Sequence, residues 1–92
     1  LVLCDDLGYG DIGCYGGPIP TPHIDRMARE GTRFTNYLAA NPVCSPSRAG
    51  LLTGKHPVRA GVPAVYFPHS PDGLPSSERT LAEILRQRGY AT

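Results

Sequence analysis

Ninety-two residues suit one small domain, and nine Lys and Arg against eight Asp and Glu leave a formal charge of +1, which excludes the basic footprint of a nucleic-acid or anionic-membrane binder. No apolar stretch approaches the roughly 20 residues that span a bilayer, so the expected partner is a small molecule. Three cysteines at irregular spacing, Cys4, Cys14 and Cys44, exclude a complete disulfide framework and paired C-x-x-C zinc ligation, and leave the compartment unassigned.

Leu1 to Cys4 is a short uninterrupted apolar run of the kind a strand buried on both faces requires, which favours a parallel sheet. Asp5 and Asp6 come directly after it. In open α/β sheets the ligand crevice lies beyond the carboxyl ends of the strands, where this pair would sit. Two adjacent carboxylates repel unless a cation or donors neutralise them, and oxygen ligands suit Ca²⁺ or Mg²⁺. On spacing alone, a turn or capping pair is an equal reading.

Gly8-Tyr9-Gly10-Asp11-Ile12-Gly13 is a literal G-x-G-x-x-G after the predicted strand. It fails as a dinucleotide fingerprint, because the chain continues as a Gly- and Pro-rich loop instead of opening a helix, and Asp5 and Asp6 would repel a pyrophosphate. Thr21 as N-cap and Pro22 at the first position then start a helix with Ile24, Met27 and Ala28 on one stripe, closed by Gly31. His23, Asp25 and Arg26 fall on its solvated side. Thr32 to Leu38 is expected to be extended.

The stretch Asn41-Pro42-Val43-Cys44-Ser45-Pro46-Ser47-Arg48 carries the chemistry. Ser45 as N-cap and Pro46 at the first position predict a short helix, anchored by inward Leu51 and Leu52 and ended by Gly54, with Cys44 at its positive end. An anion there meets free backbone N–H groups, and Arg48, one turn along, adds a planar charged fork suited to a tetrahedral oxyanion. The pattern suggests attack on a phosphate-like or sulfate-like group. Taken as a residue type, Cys44 reads equally well as a buried or free thiol.

Lys55 to Gly61 is too rich in breakers for a long element and should wrap near the site, with Lys55, His56 and Arg59 more simply exposed than catalytic. Val62 to Ser77, with Pro63, Pro68, Pro71 and Pro75, is a long loop that suits a substrate rim. Thr80-Leu81-Ala82-Glu83 is a capping box that opens a helix running to Arg88 and closed by Gly89. Tyr90 begins a further strand. The apolar start and the end in Gly89-Tyr90-Ala91-Thr92 both predict a piece of a longer chain.

Cys44-Ser45-Pro46-Ser47-Arg48, continued by Ala49-Gly50-Leu51-Leu52-Thr53-Gly54, resembles the Cys-x-Pro-x-Arg signature of the type I sulfatases, and the resemblance runs from the Asp-Asp pair to Gly89-Tyr90. It implies that residues 1–92 are an N-terminal fragment of a sulfatase catalytic domain with an alkaline-phosphatase-like α/β fold, a largely parallel sheet flanked by helices. It implies hydrolysis of a small-molecule or glycan sulfate ester to an alcohol and sulfate. It further implies conversion of Cys44 by a maturation enzyme to formylglycine, whose hydrated aldehyde is the nucleophile. Asp5, Asp6 and the converted Cys44 would hold a Ca²⁺ or Mg²⁺ ion, and Arg48 would stabilise the reacting group. The family's further metal ligands, and its Lys and His around the sulfate, match no position of this chain. Three rivals stand beside this reading: a phosphonate or phosphate ester hydrolase of the same superfamily, a non-catalytic metal-binding fold with Cys44 a thiol, and an unmodified cysteine hydrolase. The last lacks an evident partner base among His23, His56 and His69.

Overall fold

The computed structural model describes all residues from Leu1 to Thr92. It contains a 3₁₀ turn, Gly13–Tyr15, and three helices: α1, Pro22–Glu30; α2, Cys44–Thr53; and α3, Leu81–Arg86. The chain divides into two compact units, Leu1–Tyr37 and Leu38–Thr92.

The first unit is organised by polar contacts around α1. Thr21 occupies the N-cap and Pro22 the first helical position, as the sequence predicts, but Thr21 makes no side-chain cap. Its hydroxyl accepts from the Gly13 amide at 2.8 Å and donates to Asp25 Oδ1 at 2.9 Å, tying the 3₁₀ turn to the first turn of the helix. The Tyr15 hydroxyl donates to the Phe34 carbonyl at 2.7 Å, and the Arg33 guanidinium donates to the Cys14 carbonyl and lies over the Tyr15 ring. The Tyr9 and Tyr15 rings meet at a tilt of 36° with centroids 4.1 Å apart. Gly17 is required by close approach: a Cβ there would stand 2.5 Å from the carbonyl oxygen of Gly10, so any side chain would push apart the backbone that the Gly17 amide bonds at Ile12 O, 3.0 Å away.

The expected sheet does not form among these residues. Leu1 to Cys4 takes no ladder, with Leu1 93% and Val2 88% exposed, and the one strand-like pairing is an isolated parallel bridge between Ile12 and Ile19. Thr32 to Leu38 and Tyr90 to Thr92 likewise form no strand. The physical reason is that a parallel strand is stabilised by neighbours on its edges and helices on its faces, and these residues supply neither to Leu1 to Cys4. The apolar stripe of α1 is present but uncovered, with Met27 70% exposed.

The second unit has a small core. Ala49 of α2, Ala60 and Val62 form it, with Tyr66 and Leu74 packed against them and Pro46 and Pro57 fully buried. Val62, 2% exposed, contributes about 2 kcal/mol by its burial. The breaker-rich segment after α2 therefore has a structural role that its composition conceals: the Arg59 and Ala60 amides both donate to the His56 carbonyl, and Val62 N donates to Pro57 O at 3.0 Å. These bonds coil residues 57–61 and bring Ala60 and Val62 onto α2. The loop Val62 to Ser77 contains no helix or strand, as predicted, but its Val62, Tyr66 and Leu74 serve the core. Lys55 and Glu78 clasp its two ends, the ammonium lying 2.9 and 2.6 Å from the two carboxylate oxygens.

α3 packs against α2 and opens with the predicted capping box: Glu83 N donates to Thr80 Oγ1 at 3.3 Å while Thr80 N donates to Glu83 Oε2 at 2.7 Å. Beyond Arg86 the chain tightens, with Tyr90 N bonding back to Leu85 O at 3.1 Å.

Candidate active site on the first turn of α2

Cys44 is the first residue of α2, so the helix begins one residue before the predicted cap. Val43, extended at φ −120°, ψ 158°, takes the N-cap position without a side-chain cap. Asn41 Oδ1 instead accepts from the Val43 amide at 3.1 Å. The reason for the shift lies in Ser45 and Pro46. The Ser45 hydroxyl accepts from the Tyr66 amide at 3.0 Å, so it is engaged with the loop and not with its own helix. Pro46, lacking an N–H, fits the third helical position as well as the first, because amides throughout the first turn have no carbonyl to bond within the helix. The first intrahelical bond runs from Ser47 N to Val43 O at 3.1 Å, which leaves the amides of Cys44 and Ser45 at the positive end of the helix.

At about 100° per residue, Pro46, Ala49 and Thr53 share one face and Cys44, Arg48 and Leu52 the opposite one. The first face is the covered one, with Pro46 and Ala49 buried, and the second is exposed. Leu51 and Leu52 are therefore not the anchors: Leu51 is half-buried and Leu52 exposed. This phase places the Cys44 thiol and the Arg48 guanidinium as i, i+4 neighbours on one accessible strip. The Cys44 Sγ lies 4.0 Å from the Ser45 Oγ. Gly54 ends α2 at φ 67°, as predicted, donating its amide to Gly50 O; an L side chain there would be strained by about 1 kcal/mol or more. Thr53 Oγ1 donates to Ala49 O at 2.7 Å and accepts from Lys55 N at 3.2 Å, finishing the terminus.

Asp5 and Asp6 lie in the first unit, both exposed, in a bend of the backbone. Asp6 has φ 52°, the one residue other than glycine in the left-handed region. Asp adopts that region more readily than most residues, and such strain concentrates at ligand-holding positions. Just after the pair, Asp11 Oδ2 accepts from the Gly8 amide at 2.6 Å, which closes the glycine-rich segment on itself as a turn. The segment opens no nucleotide-binding helix, and the chain passes from it into the three-residue 3₁₀ turn alone.

Two adjacent carboxylates are the donor type a hard divalent cation takes, but they supply a minority of its roughly six to eight oxygens. No group of three or more His, Cys, Asp or Glu side chains gathers in the structure. The residues present thus fit part of a metal shell. Of the remaining polar candidates, Lys55 is engaged with Glu78, while His23, His56 and His69 are exposed. Sequence reasoning misses the part played by Ser45 and Tyr66, because a hydroxyl accepting a loop amide from 21 residues away leaves no local pattern. No helix is long and apolar enough to cross a membrane.

The family model described as Sulfatase matches residues 1–92. The chain is 54% identical to steryl-sulfatase of Mus musculus, 53% identical to arylsulfatase A of Homo sapiens and 50% identical to arylsulfatase D of Homo sapiens, in each case over its whole length. It spans 16–18% of the length of these relatives. With the family model covering every residue, including the Cys44 to Arg48 strip and the Asp5-Asp6 bend, the chain belongs to the sulfatase family.

Proposed function

We propose that the protein carrying these residues is a sulfuric ester hydrolase, that residues 1–92 are the N-terminal part of its alkaline-phosphatase-like catalytic domain, and that Cys44 is its nucleophile position. The observation that carries the reading is the exposed strip of α2, on which Cys44 and Arg48 stand one turn apart above the buried Pro46 and Ala49. The net reaction adds water to a sulfate ester and releases an alcohol and hydrogen sulfate.

In this reading Cys44 is first converted to formylglycine by a maturation enzyme: Cβ exchanges its sulfur for a carbonyl oxygen, a two-electron oxidation whose oxidant the maturation enzyme must supply. The hydrated aldehyde supplies an oxygen nucleophile and, later, a second hydroxyl to release the sulfate. Asp5 and Asp6 would hold part of the shell of a Ca²⁺ or Mg²⁺ ion, which when bound would supply positive charge to offset that of the sulfate. The chain's own residues do the rest. Arg48 presents a fork of donors to the non-bridging oxygens. The amides of Cys44 and Ser45, with the helix dipole behind them, favour the same negative charge as it develops. Arginine suits this place better than lysine, because its charge persists at any working pH and its planar donors match a tetrahedral oxyanion two at a time.

The rival within the superfamily, a phosphate or phosphonate ester hydrolase, would use the same strip. Parallel assays of the full-length protein on an aryl sulfate and on the matching aryl phosphate separate them. A higher kcat/KM for the sulfate is expected; a preference for the phosphate would overturn the reading.

A further inference from the structure

Ser45 and Pro46 form a strong local signal for a helix that begins at Pro46, with the Ser45 hydroxyl accepting from the amide of Ser47 or Arg48. In the fold the hydroxyl has another use. Ser45 lies inside α2, half-buried, and its Oγ accepts from the Tyr66 amide at 3.0 Å. The donor residue is itself held in place: the Tyr66 hydroxyl donates to Gly61 O at 3.0 Å, and Tyr66 packs against the Ala49, Ala60 and Val62 core. The first turn of α2 has no side-chain cap of its own, because Val43 at the N-cap position cannot provide one. The Ser45 to Tyr66 bond thus ties the turn that carries residue 44 to a fixed point 21 residues away.

We propose that Ser45 is a positioning residue for the sulfatase reaction: by accepting the Tyr66 amide instead of capping its own helix, its hydroxyl keeps residue 44 inside the first turn of α2. The inference rests on the sulfatase reading of Cys44. The two helix starts exclude one another, since an N-cap residue has an extended backbone and Ser45 is helical here. A start at Pro46 would give up the bond from Ser47 N to Val43 O, 3.1 Å, and would put Cys44 outside the helix. Its amide would then leave the positive end, and its side chain would no longer share a face with Arg48. A misplacement of about 1 Å at a reacting group can slow a reaction roughly a hundredfold, so even a partial shift between the two starts would be felt. Ser45 touches no substrate through its hydroxyl in this scheme, and loss of that hydroxyl acts on the reacting geometry and not on the grip of the ground state.

The test is made in the full-length protein, with turnover of an aryl sulfate divided by the aldehyde content at position 44, measured by mass. Ser45→Ala, which can neither cap nor accept, should lower kcat per aldehyde about tenfold and leave KM within about twofold. Hydrogen-exchange protection of the Tyr66 amide should fall about fivefold in the same variant. Ser45→Thr keeps the acceptor and should restore both. Tyr66→Pro removes the donor and leaves residues 41–54 untouched, so a failure of conversion at Cys44 cannot imitate its effect. It should lose about tenfold in kcat relative to Tyr66→Ala, which gives up the same side chain but keeps the amide. An unchanged kcat per aldehyde in Ser45→Ala, a loss carried by KM, or a fall in Tyr66 protection without a loss of kcat would each show the inference wrong while the sulfatase reading stands. If the wild type carries the aldehyde and hydrolyses no aryl sulfate, the reading beneath it fails and the inference with it.

Discussion

At the scale of the residue, the proposal rests on Asp5, Asp6, Cys44 and Arg48. Asp5 and Asp6 are exposed carboxylates in a bend, one of them in a left-handed backbone conformation, and their proposed role is purely that of negative oxygen donors. Asp5→Asn and Asp6→Asn in the full-length protein each remove one such charge without changing shape. Each should lower both metal content and sulfatase activity by more than about tenfold while leaving the melting temperature nearly unchanged. Activity that survives verified metal removal in the wild type would refute the role. The sequence discloses Cys44 and Arg48 as a pair because their spacing of four is that of one helical turn. It does not disclose which residues anchor the helix beneath them. Leucine is the natural guess for an anchor, yet here Pro46 and Ala49 are buried because their angular position, not their hydrophobicity, faces the core.

At the scale of the element, local signals are legible wherever the stabilising partner lies within one turn. Pro22, the Thr80 and Glu83 box, and the terminating Gly31 and Gly54 all stand where the sequence puts them. The start of α2 lies one residue ahead of the position its cap signal predicts, because Ser45 serves a partner 21 residues away. The capping box of α3 also carries a pH dependence. The Glu83 carboxylate is held below the ordinary range, first by the Thr80 amide and then by the Thr80 hydroxyl; desolvation opposes them, and Arg86 and Arg79 add smaller lowering effects. A lowered carboxylate stabilises the folded form above its unfolded pKa, and that contribution is lost as pH falls through the folded value. Amide protection factors of Glu83 and Ile84 in the full-length protein should therefore drop from neutral pH to below pH 4.5, the ordinary value for this group. In Glu83→Gln they should be lower at neutral pH and flat across the same range. Thr80→Ala should weaken the same helix by about 1 kcal/mol. Protection that does not change with pH in the wild type would contradict the assignment.

At the scale of the whole molecule, the parallel sheet expected from Leu1 to Cys4 and Tyr90 is the part of the fold not realised. Strand pairing is non-local: an apolar run announces that a residue wants to be covered, not what covers it. Only Ala49, Ala60 and Val62 form a buried hydrophobic core, while Leu1, Val2, Met27, Leu38 and Tyr90 face water, at about 25 cal/mol per Å² of apolar surface left exposed. Residues 1–92 expressed alone should accordingly show no cooperative thermal transition, poorly dispersed amide resonances with or without Ca²⁺, and no turnover of an aryl sulfate. A sharp melt with dispersed resonances would refute the claim about folding. Turnover that depends on added metal would mean that these residues hold far more of the active site than two carboxylates and one helix strip.

The central claim, that Cys44 is a precursor of the nucleophile and not an ordinary thiol, is tested most directly by its mass. Trypsin should release Phe34 to Arg48 as one peptide from catalytically active full-length protein. Residue 44 in this peptide is expected to carry an aldehyde in place of the thiol, and the fraction converted should track specific activity across preparations. Fully active protein in which the peptide has only the unmodified cysteine would contradict the claim.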